Sequence, residues 1–311
     1  MRKLTKESVL LFTGGGKGIT AECAIALSEV LPCTYVLMGR SAITKLPGWL
    51  TEESTEKEIK QQILAEASHR GEKLSPKDIE GKYRQINSSR EISSTLKRIE
   101  ANGATATYLP ADVTDEESVK QALGQVIAHA GSITGLIHGA GRLADKRIER
   151  KTEQDFQAVY GTKVDGLKTV MGCLEPEKLD LLVLFSSVAG AFGNAGQADY
   201  AMANEYLNKF AVMFQQQYPA CHTIALNWGP WDSGMVTPVL KQAFAQMGIS
   251  LISIQEGTRQ FVKEVTLPSH PNPQILFGSK IERPVQLSLP TDPITVKRVI
   301  VSDENPFLLD H

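Results

Sequence analysis

The stretch "FSSVAGAFGNAGQADYAMANEYL", residues 185–207, sets Tyr200 thirteen residues after Ser187 and four before Asn204. It reads as the opening of a helix, where a spacing of four puts the phenol and the amide on one face. A tyrosine, a serine hydroxyl and an amide so spaced are groups that can protonate an oxygen on which negative charge develops. Ser187 has the better spacing, and Ser186 is its rival. A free phenol has a pKa of about 10, so chemistry at neutral pH calls for a cation beside it. An ammonium about 4 Å away contributes roughly 4 kcal/mol at an effective dielectric near 20, or about three pKa units before desolvation opposes it. No lysine lies within one helical turn of Tyr200 in the sequence, so the cation must come from another element.

A second constellation is "LLFTGGGKGIT", in which Gly14, Gly15, Gly16 and Gly18 follow an apolar run and precede a helical pattern. Glycines there allow a tight turn and a close backbone approach to a pyrophosphate, and the helix N-terminus supplies N–H donors. At the end of the next apolar run, "VLMGRS" offers Arg40 and Ser41 where an acidic residue would select a free ribose. A guanidinium there matches a 2'-phosphate, so NADPH is the expected cofactor, with Lys17 as a second cation. Asp112, in "PADVTD", either accepts from an adenine amino group or caps a helix.

The elements that must position these groups are visible as apolar bursts: "SVLLFTG", "TYVLMGR", "ATYLPADV", "GLIHGAG", "LVLFSS" and "TIALNWG". Buried parallel strands have this near-continuous apolar character. Helix-length amphipathic segments lie between most of them, among them "TDEESVKQALGQVIAHAG", with Thr114 as the expected N-cap and Gly131 at its end. The alternation predicts an α/β fold with a doubly wound parallel sheet. Residues 44–100 break the rhythm with two charged amphipathic runs and no strand, and read as a helical insertion after the second strand with a solvated surface. In the second run Ser75 is the expected cap and Pro76 the first helical residue.

Taken together, "TGGGKGI", "ADVTD", "HGAG" and the Ser187 to Tyr200 spacing resemble the short-chain dehydrogenase/reductase family, which has a Rossmann fold. More closely, "VYGTKVDG", "VLFSSVAGAFGNAGQADYAMANEYLNKFA" and "LNWGPWDSGMV" resemble ketoreductase domains of type I polyketide synthases. "HGAGRLADKRIERKT" and the insertion point towards synthases of polyunsaturated fatty acids. The resemblance covers residues 8–280. It implies that the lysine is Lys163, from an earlier helix, with Asn204 in the place a lysine takes in stand-alone reductases. It implies cofactor contacts from Thr13, Gly14, Gly16, Lys17, Gly18, Ile19, Arg40, Ser41, Asp112, Val113, Gly139, Ala140, Gly141 and Pro230. The substrate implied is a 3-oxoacyl thioester on the phosphopantetheine arm of an acyl carrier protein.

Further expectations follow from the resemblance. Leu143, Ala144 and Asp145 stand where an LDD motif accompanies a 3R alcohol, and Phe192 replaces the tryptophan that accompanies the opposite outcome. "NWGPWDSGMV" reads as a mobile lid, with Gly229, Pro230 and Gly234 as hinges and Trp231, Met235 and Val236 over the acyl chain. The cations Arg142, Lys146, Arg147, Arg150 and Lys151 are expected to help receive an acidic carrier. Two other functions stay open: a stand-alone reductase of a small ketone, and an NADP-binding scaffold without turnover.

Composition narrows the classes. The 311 residues, 42% hydrophobic with a net charge of -2, give no electrostatic reason to bind nucleic acid or an anionic membrane. No apolar run approaches a membrane span, and the four residues before the glycine cluster are too short for a signal segment, so a cytoplasmic location is expected. Cys23, Cys33, Cys173 and Cys221 form no CxxC pair, and no histidine joins them in a metal-ligand pattern. The expected organisation is a catalytic domain over residues 1–283, then a proline-rich linker over 284–311 leading to a dehydratase-type neighbour among the other synthase domains.

Overall fold

In the computed structural model, the described residues are 4–233, 238–246, 248–267 and 271–278. Seven strands, all parallel, form one sheet in the order β3-β2-β1-β4-β5-β6-β7. They are β1 (Val9–Thr13), β2 (Thr34–Gly39), β3 (Thr105–Pro110), β4 (Gly135–His138), β5 (Leu181–Ser187), β6 (His222–Trp228) and β7 (Gln274–Phe277). Parallel neighbours need crossover connections, and helices supply them: α1 (Gly18–Val30), α2 (Glu56–His69), α3 (Pro76–Ala101), α4 (Glu116–Ala130), α5 (Glu153–Phe156), α6 (Gly166–Gly172), α7 (Val188–Phe192), α8 (Ala198–Gln217), α9 (Pro238–Gln246) and α10 (Ile254–Thr266). A π-helical stretch, Gln157–Asp165, joins α5 to α6.

Alternate residues of each central strand serve opposite faces of the sheet. Leu11, Val36, Leu136, Leu182 and Leu184 pack with Leu123, Leu207 and Phe214 on one side. Leu10, Phe12, Leu37, Ile137, Val183 and Ile224 pack with Cys23, Leu27, Ile99 and Phe261 on the other. Both faces of the sheet are covered, so the apolar runs of the five interior strands are legible as strands, and the edge strand β3 is only partly buried. The seventh strand, the four-residue edge β7, is partly exposed and gives no comparable signal.

Two local expectations need correction. Asp115, not Thr114, caps α4: its carboxylate accepts from Glu117 and Ser118 N–H, while the Thr114 hydroxyl donates to Asp112. The carboxylate wins because one side chain reaches two helix N–H groups. The 44–100 region is also not a uniformly solvated insertion. The C-terminal half of α3 is the crossover between β2 and β3, and it buries Ser88, Ser89, Ile92, Thr95 and Ile99. The expected cap of α3 holds, as Ser75 and Asp78 form a reciprocal capping box with Pro76 first. Residues 284–311, and with them the expected linker, lie outside the described residues.

Candidate active site

The strand order reverses between β1 and β4, and ligands of such sheets sit beyond the carboxyl ends of the strands at that point. The register there places Thr13 beside His138. Their following turns nest: Gly14, at φ +72°, approaches Ala140 so closely that a Cβ would lie 3.0 Å from its backbone. The Ala140 N–H points to the Thr13 hydroxyl at 3.4 Å. Gly139 faces Thr20 of α1, and Ile19 is half-buried.

The start of α1 fits a phosphate. Lys17 stands at its N-cap without a side-chain hydrogen bond to the helix, and no acidic residue lies in the first turn. By contrast Thr55, Ser75, Asp115 and Ser253 cap their own helices, leaving α1 with free N–H donors after a glycine turn. Arg40 is exposed and Ser41 half-buried at the end of β2. Burial pushes the Asp112 carboxyl up, but the Thr114 N–H and hydroxyl, with the Arg40 and Arg142 guanidiniums, hold it below its ordinary value. Val113 is buried against Gly166 of α6.

The π-helical stretch carries Lys163 inward. π turns concentrate at functional sites because the extra residue per turn re-aims the side chains and frees ladder carbonyls. Lys163 is 4% exposed and its Nζ donates to the Phe185 carbonyl at 2.7 Å. Its aliphatic stem lies on Gly141, where a Cβ would be 3.2 Å from Cε. Nζ stands 5.7 Å from the centroid of the Tyr200 ring, within cation–π range. Among the described residues no carboxylate pairs with this ammonium, and burial lowers its pKa to about 8.

His138, which the sequence does not single out, fixes this arrangement from behind. It is fully buried, with Nε2 3.0 Å from the Lys163 carbonyl and Nδ1 2.8 Å from the Thr13 hydroxyl. A carbonyl only accepts, so Nε2 carries the hydrogen and Thr13 donates to Nδ1. Burial and the Lys163 charge hold the imidazole neutral, at about 3.

Tyr200 enters from α8, whose start is held against α7 by Gly190 and Asn204. Burial raises its phenol pKa, while hydrogen bonds from Ser187 and Asn204 pull it down. The ammonium lies over the phenol ring and is also bonded to the Phe185 carbonyl. Asn204 is fully buried and also donates to the Tyr200 carbonyl at 2.7 Å. Ser187 caps α7 and faces the site, whereas Ser186 points back to the Asn204 carbonyl and Asn227. Of the two serines, Ser187 is the one brought to the tyrosine.

The loop after β4 lies against the same helix. Gln197 donates to Asp145 at 2.9 Å, and Lys146 N–H donates to the Gly196 carbonyl. Lys151 reaches Asp199 at 2.7 Å, with side chains 7% and 1% exposed, and donates to the Ala144 carbonyl. Lys146 pairs with Asp155. The Lys151 side chain is therefore buried and holds the loop, whereas Lys146, Arg142, Arg147 and Arg150 are exposed. Leu143 and Phe192 are both exposed near the tyrosine's loop.

The expected lid is corrected in its first part. Gly229 donates to the Phe277 carbonyl, the Pro230 carbonyl accepts from Ile252, and Trp231, 4% exposed, packs edge-on to Trp228 in the core. Trp231 is buried against Trp228 and Gly257 of α10 rather than standing open beyond the strand ends. Gly234, Met235 and Val236 lie outside the described residues.

A parallel sheet in this order, with a glycine turn at its switch point and a Ser–Tyr–Lys cluster beyond β5, defines a short-chain dehydrogenase/reductase type of Rossmann fold. Within that class the chain belongs to the KR domain family, whose profile matches residues 8–233. It is 36% identical to one of the polyunsaturated fatty acid synthase proteins of Thraustochytrium sp., over 100% of this chain and 11% of that protein. It is 31% identical to polyketide synthase PksL of Bacillus subtilis, over 93% of this chain and 6% of that protein. The chain therefore spans about a tenth or less of the length of these relatives. A crystal structure of a ketoreductase domain from the bacillaene assembly line superposes with a TM-score of 0.65 at 27% identity, covering 89% of this chain and 57% of that one.

Proposed function

We propose that this chain reduces a 3-oxoacyl thioester to the 3-hydroxyacyl thioester with NADPH, as one domain of a multidomain synthase. The observation that carries the reading is Lys163, a buried cation with no carboxylate partner among the described residues, set over the ring of Tyr200. Burying an unpaired charge is costly, and the cost is offset where a negative charge forms beside it. The phenolate left by proton donation is such a charge. NADPH, when bound, supplies the hydride to the carbonyl carbon. Ser187 donates a hydrogen bond to the ketone oxygen and fixes its place, and Tyr200 delivers its proton there. Lys163 stabilises the resulting phenolate, and Asn204, whose amide donates to the Tyr200 carbonyl, holds the tyrosine's turn of α8 in place. The residues for the dinucleotide are those of the two nested turns, with Arg40, Ser41 and Lys17 towards a 2'-phosphate.

An acyl carrier protein is the proposed donor of the substrate, received in part by Arg142, Arg147 and Arg150. The Leu143-Ala144-Asp145 loop, held by Gln197, supports a 3R product, and chiral analysis yielding the 3S alcohol would refute that.

NADPH oxidation with a 3-oxoacyl thioester mimic tests the reaction. Turnover is expected in the parent and falls by roughly a hundredfold or more in both Tyr200→Phe and Lys163→Ala, with Tyr200→Phe still binding NADPH. Tight NADPH binding by the parent with no turnover would instead favour a scaffold.

A further inference from the structure

Helix α3 reaches the glycine turn after β1. The Thr95 hydroxyl donates to the Gly16 carbonyl at 3.2 Å, and Ile92 lies so close to Gly16 that a Cβ there would come within 3.2 Å of it. One turn earlier, the Lys17 ammonium donates to the Ser88 hydroxyl at 2.7 Å, which joins α3 to the N-cap of α1. The neighbouring Ser89 accepts from the Thr44 N–H at 3.0 Å and so fixes the segment that follows Arg40 and Ser41. Tyr108 of β3 holds the same segment by donating to the Ser41 carbonyl at 2.8 Å. Two adjacent serines of one helix thus grip the two loops between which the ribose end of a dinucleotide must lie.

We propose that Ser88, through its hold on Lys17, is a positioning residue for a 2'-phosphate, making helix α3 a selectivity element of the cofactor site. The proposal rests on the dinucleotide reading above and extends it to a helix that the sequence marks only as a charged insertion. Lys17 is exposed, and a lone lysine there would sample many rotamers. The hydroxyl of Ser88, 8% exposed and itself fixed in a helix, holds the ammonium one residue away from Ser89, which binds the segment that follows Arg40. A phosphate monoester gains from that placement, whereas a free ribose hydroxyl does not.

Direct binding of NADPH and NADH, followed by nicotinamide fluorescence, tests this without turnover. Ser88→Ala is expected to weaken NADPH by about fivefold, as for the loss of one hydrogen bond to a charged group, and to leave NADH unchanged. Ser88→Thr, which keeps the hydroxyl, is expected to retain NADPH affinity. In a Lys17→Met background, Ser88→Ala is expected to add nothing, because the pair acts as one unit. Equal weakening of both cofactors, or of neither, would overturn the proposal while leaving the dinucleotide reading intact. A parent that binds neither cofactor would overturn both.

Discussion

At Lys163, burial and function pull in the same direction. Its folded pKa of about 8 leaves it charged at neutral pH but neutral in mild alkali. Reduction is therefore expected to slow as pH rises through about 8, because the neutral amine no longer stabilises the phenolate. A kcat measured from neutral to alkaline pH checks this, and Lys163→Met should lack that limb; a parent profile flat through this range would contradict the assigned role. The residue types of this cluster are legible in the sequence, since Ser187, Tyr200 and Asn204 share one short stretch. Their electrostatics are not. Whether the ammonium meets the hydroxyl or the ring depends on the π turn and on the Phe185 carbonyl, neither of which leaves a mark on spacing. His138 is hidden for a similar reason: inside an apolar strand it reads as core, and its bond to the Lys163 carbonyl spans 25 residues.

Among the elements, the loop after β4 and the start of α8 are held together by a buried ion pair. Lys151 sits in a run of cations expected to face an acidic carrier, but its partner Asp199 is only 1% exposed. Removing one member strands the other. Lys151→Met is expected to cost about 3–5 kcal/mol in urea unfolding. Lys146→Met, which breaks the more exposed pair with Asp155, is expected to cost under about 1 kcal/mol. Adding Asp199→Asn to Lys151→Met should restore much of the loss, and additive costs for the two changes would argue against the pair as the cause. The five interior strands are readable because both faces of the sheet are covered. The burial of Trp231 is not, since a tryptophan just past a strand end reads as part of a lid until Trp228 and Gly257 are placed beside it.

On the scale of the whole molecule, His138 ties β1, β4 and the lysine-bearing π turn together, so its ionisation bears on global stability. Its pKa moves from an ordinary 6.5 in the unfolded chain to about 3 in the fold. Between those values the unfolded chain binds the extra proton and the folded protein does not, so stability falls as pH falls through that window. The loss approaches about 1.4 kcal/mol for each pH unit below the unfolded value. His138→Gln keeps a donor for the Lys163 carbonyl but has no such proton to bind. At neutral pH the parent is expected to be the more stable, because the imidazole fills its site and also accepts from Thr13. As pH drops from 6.5 towards 3 the difference in unfolding free energy between parent and variant should shrink steadily. Urea denaturation at a series of acidic pH values measures that difference directly. A gap that stays constant with pH would mean that His138 is not held neutral by the fold, and that some other contact fixes the lysine's backbone.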